Sequence, residues 1–436
     1  MPWLFTLIFL IFAPILVFYT AGYRWNPKKG MVEKNGTVIL DTIPGDANIY
    51  LNGQPVDKTT PATLQNIAPG TYTMRLEKTG YFPWEKTLSV TPERVTFANE
   101  IYLWPILEPE LQFEADVTKI FTNPNNDFLI GLKKVDGNLK LFRYERNRIT
   151  EEITLDENTE IDSLSWDRSG EKALLQCTAS STNATRLLVA DPLKFSELTT
   201  ARYHFERSEL IGMDANYKLI LTANDSFTKE RHESQILDSY EELVIKKLPN
   251  EENLVLMLSA DATEGLILPR GEWEFFAVDR NEMVLNAGSQ WLRIFTGSNP
   301  YTTTRAEAKT IHGLTINREV NYLLTGNNEL SLWRPLYEPE LLYRQSDPIV
   351  AAGWHNSGYY IFFATKTEVR MMDLDSRNGR IQTVVANFDD IQDAVLIHND
   401  VFVAGTKNAK SGLWKIPLVK NTAISPLGVL EGARIF

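Results

Sequence analysis

The chain has 436 residues, too many for one ordinary domain and enough for two or three. Its net charge of −12, with no block of Lys and Arg, argues against nucleic acid as a main partner. Cys177 is the single cysteine and the five histidines (His204, His232, His312, His355, His398) lie far apart, which excludes an intrachain disulfide and any Cys/His zinc spacing.

The run from Trp3 to Tyr23 carries no charged residue. As a helix its 21 residues would span about 31 Å, close to the roughly 30 Å of a hydrocarbon layer. Residues 1–25 are therefore expected to form a transmembrane anchor, with Pro14 inside it and Tyr19, Tyr23 and Trp25 at its exit. A cleaved signal peptide is the competing reading, but bulky Tyr19 sits at the −3 position of the best cut, after Ala21. Orientation is in conflict. Arg24, Lys28, Lys29 and Lys34 follow the run, which by the positive-inside rule points the C-terminal side to the cytoplasm. Residues 26–36 read as a juxtamembrane linker.

Residues 37–104 change period. Strands are predicted at 37–41, 47–51, 71–76, 84–90 and 95–103, within a set of six or seven. Asn52-Gly53 is a hairpin turn, because both residues tolerate positive φ, and Pro69-Gly70 and Gly80-Tyr81 mark further turns. That density of short strands and turns predicts a small β-sandwich. Five motifs stand in order: Pro44-Gly45-Asp46-Ala47, Tyr50-Leu51-Asn52-Gly53, Thr59-Thr60-Pro61-Ala62, Pro69-Gly70-Thr71-Tyr72 and Lys78-Thr79-Gly80-Tyr81. In that order they resemble the PEGA domain, with Gly45 where the naming tetrad has Glu. The resemblance implies a transthyretin-type sandwich, found in exported or surface-attached prokaryotic proteins, with no catalytic residues. Tyr72, Tyr81 and Trp84 read as packing residues rather than a ligand platform.

Leu103 to Pro109 reads as a short stiff linker. Beyond it one theme recurs: an apolar strand, a polar turn, then further strands. Trp166-Asp167-Arg168-Ser169-Gly170 and Trp354-His355-Asn356-Ser357-Gly358 are its clearest copies. Weaker turns centre on Asn125-Asn126-Asp127, Asp214-Ala215-Asn216, Asp279-Arg280-Asn281, Asn317-Arg318-Glu319 and His398-Asn399-Asp400. Third strands follow at 139–144, 330–333, 369–374 and 413–416. About seven units result, so residues 110–420 are expected to form a β-propeller of about seven blades, six or eight remaining open. The region resembles the loose TolB or WD40-like propellers. Residues 223–262 fit worst and are expected to hold a helical insertion; 421–436 read as a C-terminal tail.

Catalytic constellations are missing. There is no Gly-x-Ser-x-Gly, His-Glu-x-x-His, P-loop or Gly-x-Gly-x-x-Gly. Asp373-Leu374-Asp375 is too sparse for a calcium loop, and Asp389-Asp390 reads as a solvated turn. Cys177 reads as a small buried hydrophobe in a strand. The sequence thus predicts a mainly β, non-enzymatic, membrane-anchored cell-envelope protein. Its anchor would be single-pass and its C-terminal domains extracytoplasmic. The sandwich would be a spacer and the propeller a scaffold for a protein or cell-wall glycan, with no catalytic, cofactor or metal residues. The alternatives are a propeller-based lyase or hydrolase, and a membrane-tethered cytoplasmic scaffold.

Overall fold

The structure, a computed structural model, describes residues 2–20, 23–26, 30–122, 128–155, 159–166, 173–179, 184–190, 199–201, 235–240, 243–247, 254–257, 265–271, 273–279, 282–295 and 302–420. Two compact units are present. The first comprises 1–108, 370–385 and 417–436, the second 109–369 and 386–416.

Helix α1 (Pro2–Thr20) opens the chain, with Pro14 inside it. It stops at Thr20, whose hydroxyl donates back to the Val17 carbonyl at 3.0 Å, and Tyr23–Asn26 is already a strand. Among the described residues no helix is long and apolar enough to cross a membrane. This corrects the expected transmembrane anchor at 1–25, the membrane as a partner and the single-pass localisation. The expected linker at 26–36 is also partly strand: β1 (Tyr23–Asn26) pairs antiparallel with β2 (Met31–Lys34).

The sandwich has seven strands: β3 (Gly36–Ile43), β4 (Asn48–Leu51), β5 (Gln54–Thr59), β6 (Ala62–Ile67), β7 (Gly70–Glu77), β8 (Trp84–Val90) and β9 (Val95–Tyr102). They form one sheet ordered β5-β4-β7-β8 and another ordered β6-β3-β9, in which β3 and β9 are parallel. Alternation along β3 and β8 sends Val38, Leu40, Trp84, Leu88 and Val90 inward onto Ile49, Met74 and Leu76. Leu103 and Trp104 are also buried, and the Phe82 amide donates to the Trp104 carbonyl at 2.8 Å. The start of the expected linker is therefore part of the sandwich packing.

Asn52 and Gly53 both have positive φ, 50° and 76°, which completes the β4–β5 hairpin turn. Gly80, with φ 80°, turns the chain between β7 and β8. Gly53→Val and Gly80→Val are each expected to destabilise the sandwich by about 1–3 kcal/mol, since β-branched residues resist this conformation. Chemical denaturation of the first unit measures the loss; unchanged midpoints in both variants would show that the turns do not need glycine.

Beyond the sandwich the chain runs through four-stranded antiparallel sheets in chain order, to which residues 370–385 of the first unit also contribute. One strand, β10 (Glu110–Glu114), stands apart at their start. The sheets are β11–β14 (Asp116–Thr122, Leu129–Val135, Asn138–Glu145, Arg148–Thr154); β15–β18 (Thr159–Trp166, Ala173–Ala179, Ala184–Ala190, Thr199–Ala201); β19–β22 (Gln235–Tyr240, Leu243–Lys247, Leu254–Met257, Gly265–Ile267); and β23–β26 (Glu274–Asp279, Glu282–Ala287, Gln290–Phe295, Thr302–Glu307). Then come β27–β30 (Thr310–Ile316, Glu319–Thr325, Glu329–Trp333, Glu340–Arg344) and β31–β34 (Ala351–Trp354, Tyr360–Ala364, Glu368–Asp373, Gln382–Asn387). The last sheet has β35–β37 (Asp390–Ile397, Asp400–Lys407, Lys410–Pro417), and β10 pairs with β37 as its fourth strand. The first and last sheets share one core, in which Val117, Ile120, Phe142 and Tyr144 meet Ile397, Phe402, Ala404 and Leu413.

A repeat hidden in the sequence shows in the registers. The first strand of five sheets carries a bulge near its start, at Val117/Lys119, Ile161/Ser163, Ile236/Asp238, Phe275/Ala277 and Ile391/Asp393. An extra residue there sharpens the local twist at equivalent points of successive sheets. The third strands expected at 139–144, 330–333, 369–374 and 413–416 fall in β13, β29, β33 and β37. Cys177 falls in β16, as read. The helical insertion expected at 223–262 is corrected: Gln235–Tyr240, Leu243–Lys247 and Leu254–Met257 are strands of one sheet, whose β-forming Leu243-Val244-Ile245 and Leu254-Val255-Leu256 the surrounding charged residues masked in the sequence. Residues 223–234 and the tail 421–436 lie outside the described residues.

Candidate functional site

The conspicuous motifs are occupied with holding the fold. In the sandwich, buried Thr60 accepts the Ala47 amide at 3.0 Å on its hydroxyl and lies 2.5 Å from the Thr42 hydroxyl. The Asp46 amide donates to the Thr60 carbonyl at 2.7 Å, and Lys78 Nζ donates to the Gly45 carbonyl at 2.5 Å. Tyr72 donates to the Ala68 carbonyl at 2.8 Å. Trp84 is in the core, and Tyr72 and Tyr81 pack against it. Three of the five ordered motifs, at 44–47, 59–62 and 78–81, are thus tied together by hydrogen bonds.

Residues 35–101 match the PEGA domain. This PEGA segment spans the strands β3 to β9 almost whole. No curated protein matches the chain. Among solved structures, the chain is similar to the Myceliophteria thermophila Cps50 (Swd1) β-propeller domain, at 11% identity and a TM-score of 0.42, over 71% of this chain and 98% of that one. It is similar to a chain of a Mitotic Checkpoint Complex structure, at 10% identity and 0.41, over 71% and 97%. A third is Chaetomium thermophilum Raptor, at 11% and 0.39, over 72% of this chain but only 29% of that one. At such TM-scores these likenesses carry no argument about partners or activity.

The first unit also holds a charge cluster that sequence reading missed. Lys86 on β8 is buried beneath the turn between β33 and β34. Its Nζ lies 2.9 Å from Asp373 Oδ2 and 3.3 Å from Asp375 Oδ2, and donates to the Asp375 carbonyl at 2.7 Å. Asp373 also accepts the Ile381 amide at 2.8 Å, and Arg377 grips Asp375 at 2.8 Å. Burial raises the Asp373 carboxyl above its ordinary range although Lys86 opposes it. Asp375 is burdened by burial too, but its bonds to Arg377 bring it below that range. The Asp-Leu-Asp triplet is therefore spent on two cations of the protein itself.

In the second unit the Trp-x-x-Ser-Gly turn is likewise structural. Trp354 Nε1 donates to the His312 carbonyl of the preceding sheet at 2.7 Å. Ser357 Oγ lies 2.8 Å from His355 Nδ1, and Gly358 turns the chain at φ 72°. The other clear copy ends β15 at Trp166, and its turn, 167–170, lies outside the described residues. So do Asn125-Asn126-Asp127, Asp214-Ala215-Asn216 and Arg280-Asn281. Asn317-Arg318 and His398-Asn399 join first strands to second strands, as the repeat predicts.

Burial pushes the His355 imidazole down to about 4 from 6.5. The folded state then resists a proton that the unfolded chain takes up, so His355 weakens the fold as pH falls from about 6.5 toward 4 and costs nothing above that window. His355→Gln is expected to gain stability relative to the parent over that descent, read from denaturation midpoints at stepped pH. A difference that does not change with pH would mean that His355 titrates as if exposed. Asp393 acts in the opposite sense. Burial pushes its carboxyl up to about 6, against the lowering effect of the Ile120 and Ala394 amides that donate to it.

The second unit also has a concave site. Where the first and last sheets meet, a cavity of about 140 Å³ is lined by Phe128, Tyr144, Glu145, Arg146, Asn147, Ile397, His398, Asp400 and Phe402. Tyr144 and Phe402 meet edge to face at 5.9 Å. Burial, with the Glu110 charge adding to it, pushes the Tyr144 phenol up to about 12, and its hydroxyl is 2.6 Å from Gln112 Oε1. A phenol held neutral this firmly is neither base nor nucleophile. Two hairpin turns form the rim: Arg146-Asn147, between β13 and β14, and His398-Asn399, between β35 and β36. Among the described residues no group of His, Cys, Asp and Glu is arranged to hold a metal. Chemically the site offers an aromatic floor, a charged rim and no activated nucleophile. Only the His398-Asn399-Asp400 turn was visible in the sequence, and only as punctuation. Nothing local says that residues 250 positions apart meet.

Proposed function

We propose that the chain is a non-enzymatic, protein-binding scaffold, with residues 110–420 forming a β-propeller of about seven blades and the PEGA segment a structural spacer. The observation that carries this reading is the aromatic-floored cavity between the first and last sheets, rimmed by exposed hairpin residues. Exposed Leu336 and Tyr337, in the turn between β29 and β30, add apolar contact surface, and such clustered side chains suit a macromolecular contact. Supporting it from the other side, the distinctive polar residues His355, Asp393, Lys86 and Asp373 are engaged in the fold.

The test is site-directed photocrosslinking in source cells, with benzoylphenylalanine at Tyr337 and, separately, at the buried control Leu323. A discrete protein adduct from Tyr337 and none from Leu323 is the expected result. Absence of any adduct, or a substrate turnover abolished by one side-chain change, would overturn the scaffold reading.

A further inference from the structure

We infer that the cavity between the first and last sheets receives an aromatic side chain of a protein partner that carries a carboxylate beside it. This rests on the scaffold reading and names the chemistry that the site selects. Size comes first. A cavity of about 150 Å³ accepts benzene, so 140 Å³ accommodates one ring and little more. Phe128, Tyr144 and Phe402 line it, and Tyr144 and Phe402 already meet edge to face at 5.9 Å, an aromatic packing that a further ring can join.

Charge at the rim decides what flanks that ring. Both lining carboxylates already have cations of their own. Asp400 is 3.0 Å from Lys415, and Glu145 is 2.6 Å from Arg143 and 3.4 Å from Arg146. Lys415 and Arg143 are largely buried, at 14% and 10% side-chain exposure, whereas Arg146 is 83% exposed. With Glu145 shared between two guanidiniums, these five groups leave one positive charge, and Arg146 carries it to solvent. A carboxylate beside the inserted ring pairs with that guanidinium, and a cation there meets like charge.

Backbone geometry fits a dedicated rim. Arg146, Asn147 and His398 all have positive φ, at 50°, 61° and 54°. Asn and His are ordinary in such turns, but Arg146 occupies a position where Gly, Asn or Asp is the relaxed choice. One charged side chain is thus kept at the rim at a conformational cost.

The probe is N-acetyl-Asp-Phe-Asp-amide carrying a para-fluoro ring, titrated against the full chain and followed by fluorine NMR. The expected result is saturable binding that is lost with Ala in place of Phe. Arg146→Glu is expected to weaken it at least tenfold, about 1.4 kcal/mol. The Lys-Phe-Lys peptide is expected to fail with the parent chain and to bind Arg146→Glu. Arg146→Gly, which suits the positive φ, removes the charge without the turn strain and should weaken binding in the same direction. Equal binding of both peptides, or indifference to both Arg146 variants, would overturn the inference. So would silence up to about 10 mM peptide. If the peptide is silent while Tyr337 still crosslinks its protein, this inference falls alone; if neither responds, the scaffold reading falls with it.

Discussion

Replacing Lys86 with methionine is expected to destabilise the first unit by about 3–5 kcal/mol, the range for breaking a buried ion pair from one side. Methionine keeps most of the volume, so packing changes little. Asp373 is left with its charge in a buried site, where its side chain is only 6% exposed, and Asp375 keeps only Arg377. The loss should be greatest at neutral pH. As pH falls, Asp373, whose carboxyl burial already holds above its ordinary range, takes up a proton and relieves the unpaired charge. Hydrogen exchange reads this locally: amides of 84–90 and 373–381 should exchange about a hundredfold faster or more in the variant, since each 1.4 kcal/mol is tenfold. Adding Asp373→Leu should recover much of the loss, though not the bond that Asp373 accepts from the Ile381 amide. A Lys86→Met protein whose exchange matches the parent would mean that the cluster contributes nothing net.

The second large effect belongs to Arg293. Its side chain is fully buried, and its Nε and Nη2 both donate to Glu282 Oε2, at 3.0 and 2.7 Å. Nη2 also donates to the Val320 carbonyl at 2.7 Å, and Nη1 to the Trp333 carbonyl at 3.2 Å. The guanidinium carbon lies 5.0 Å from the Tyr322 ring and 5.9 Å from the Trp333 ring. One planar fork thus ties β24 and β25 to the next sheet, beside the shared core of Val284, Trp291, Tyr322 and Trp333. Arg293→Ala is expected to cost at least about 3–5 kcal/mol, through an unpaired Glu282, two orphaned carbonyls and a cavity. Arg293→Lys should recover only part of this, because an ammonium keeps the charge but cannot reach all of these acceptors in one plane. Urea denaturation followed by tryptophan fluorescence measures both. If Arg293→Lys were as stable as the parent, charge alone would explain the site; if Arg293→Ala were as stable, the network would be dispensable.

How much of this was legible in the sequence depends on range. Asn52-Gly53 announced its turn because positive φ is a property of those residues themselves, and the alternation of β3 and β8 announced a half-buried sheet for the same local reason. The strand–turn–strand theme at Trp354 to Gly358, and the third strands at 139–144 and 413–416, were visible because each sheet repeats a short-range pattern. The PEGA motifs were legible as well, being ordered turns close together in the chain.

Sequence period misled wherever length or partners decided the outcome. The apolar run to Tyr23 looked long enough to span a bilayer, but the helix ends at Thr20 and the chain turns into β1. Residues 229–248 looked too charged and too poor in β formers for strands, yet Gln235–Tyr240 and Leu243–Lys247 pair in one sheet. Other features arise from contacts at long separation: β10 completing the last sheet, Lys86 reaching Asp373, and Arg146 lining the same cavity as His398. A charged residue in a sequence carries no sign of its partner, because pairing is set by where the chain returns in space. Strands, turns and the absence of familiar catalytic motifs were thus readable from local pattern. Which charges are buried, which are neutralised and which one is left at a rim follows from the long-range return of the chain that brings the first and last sheets together.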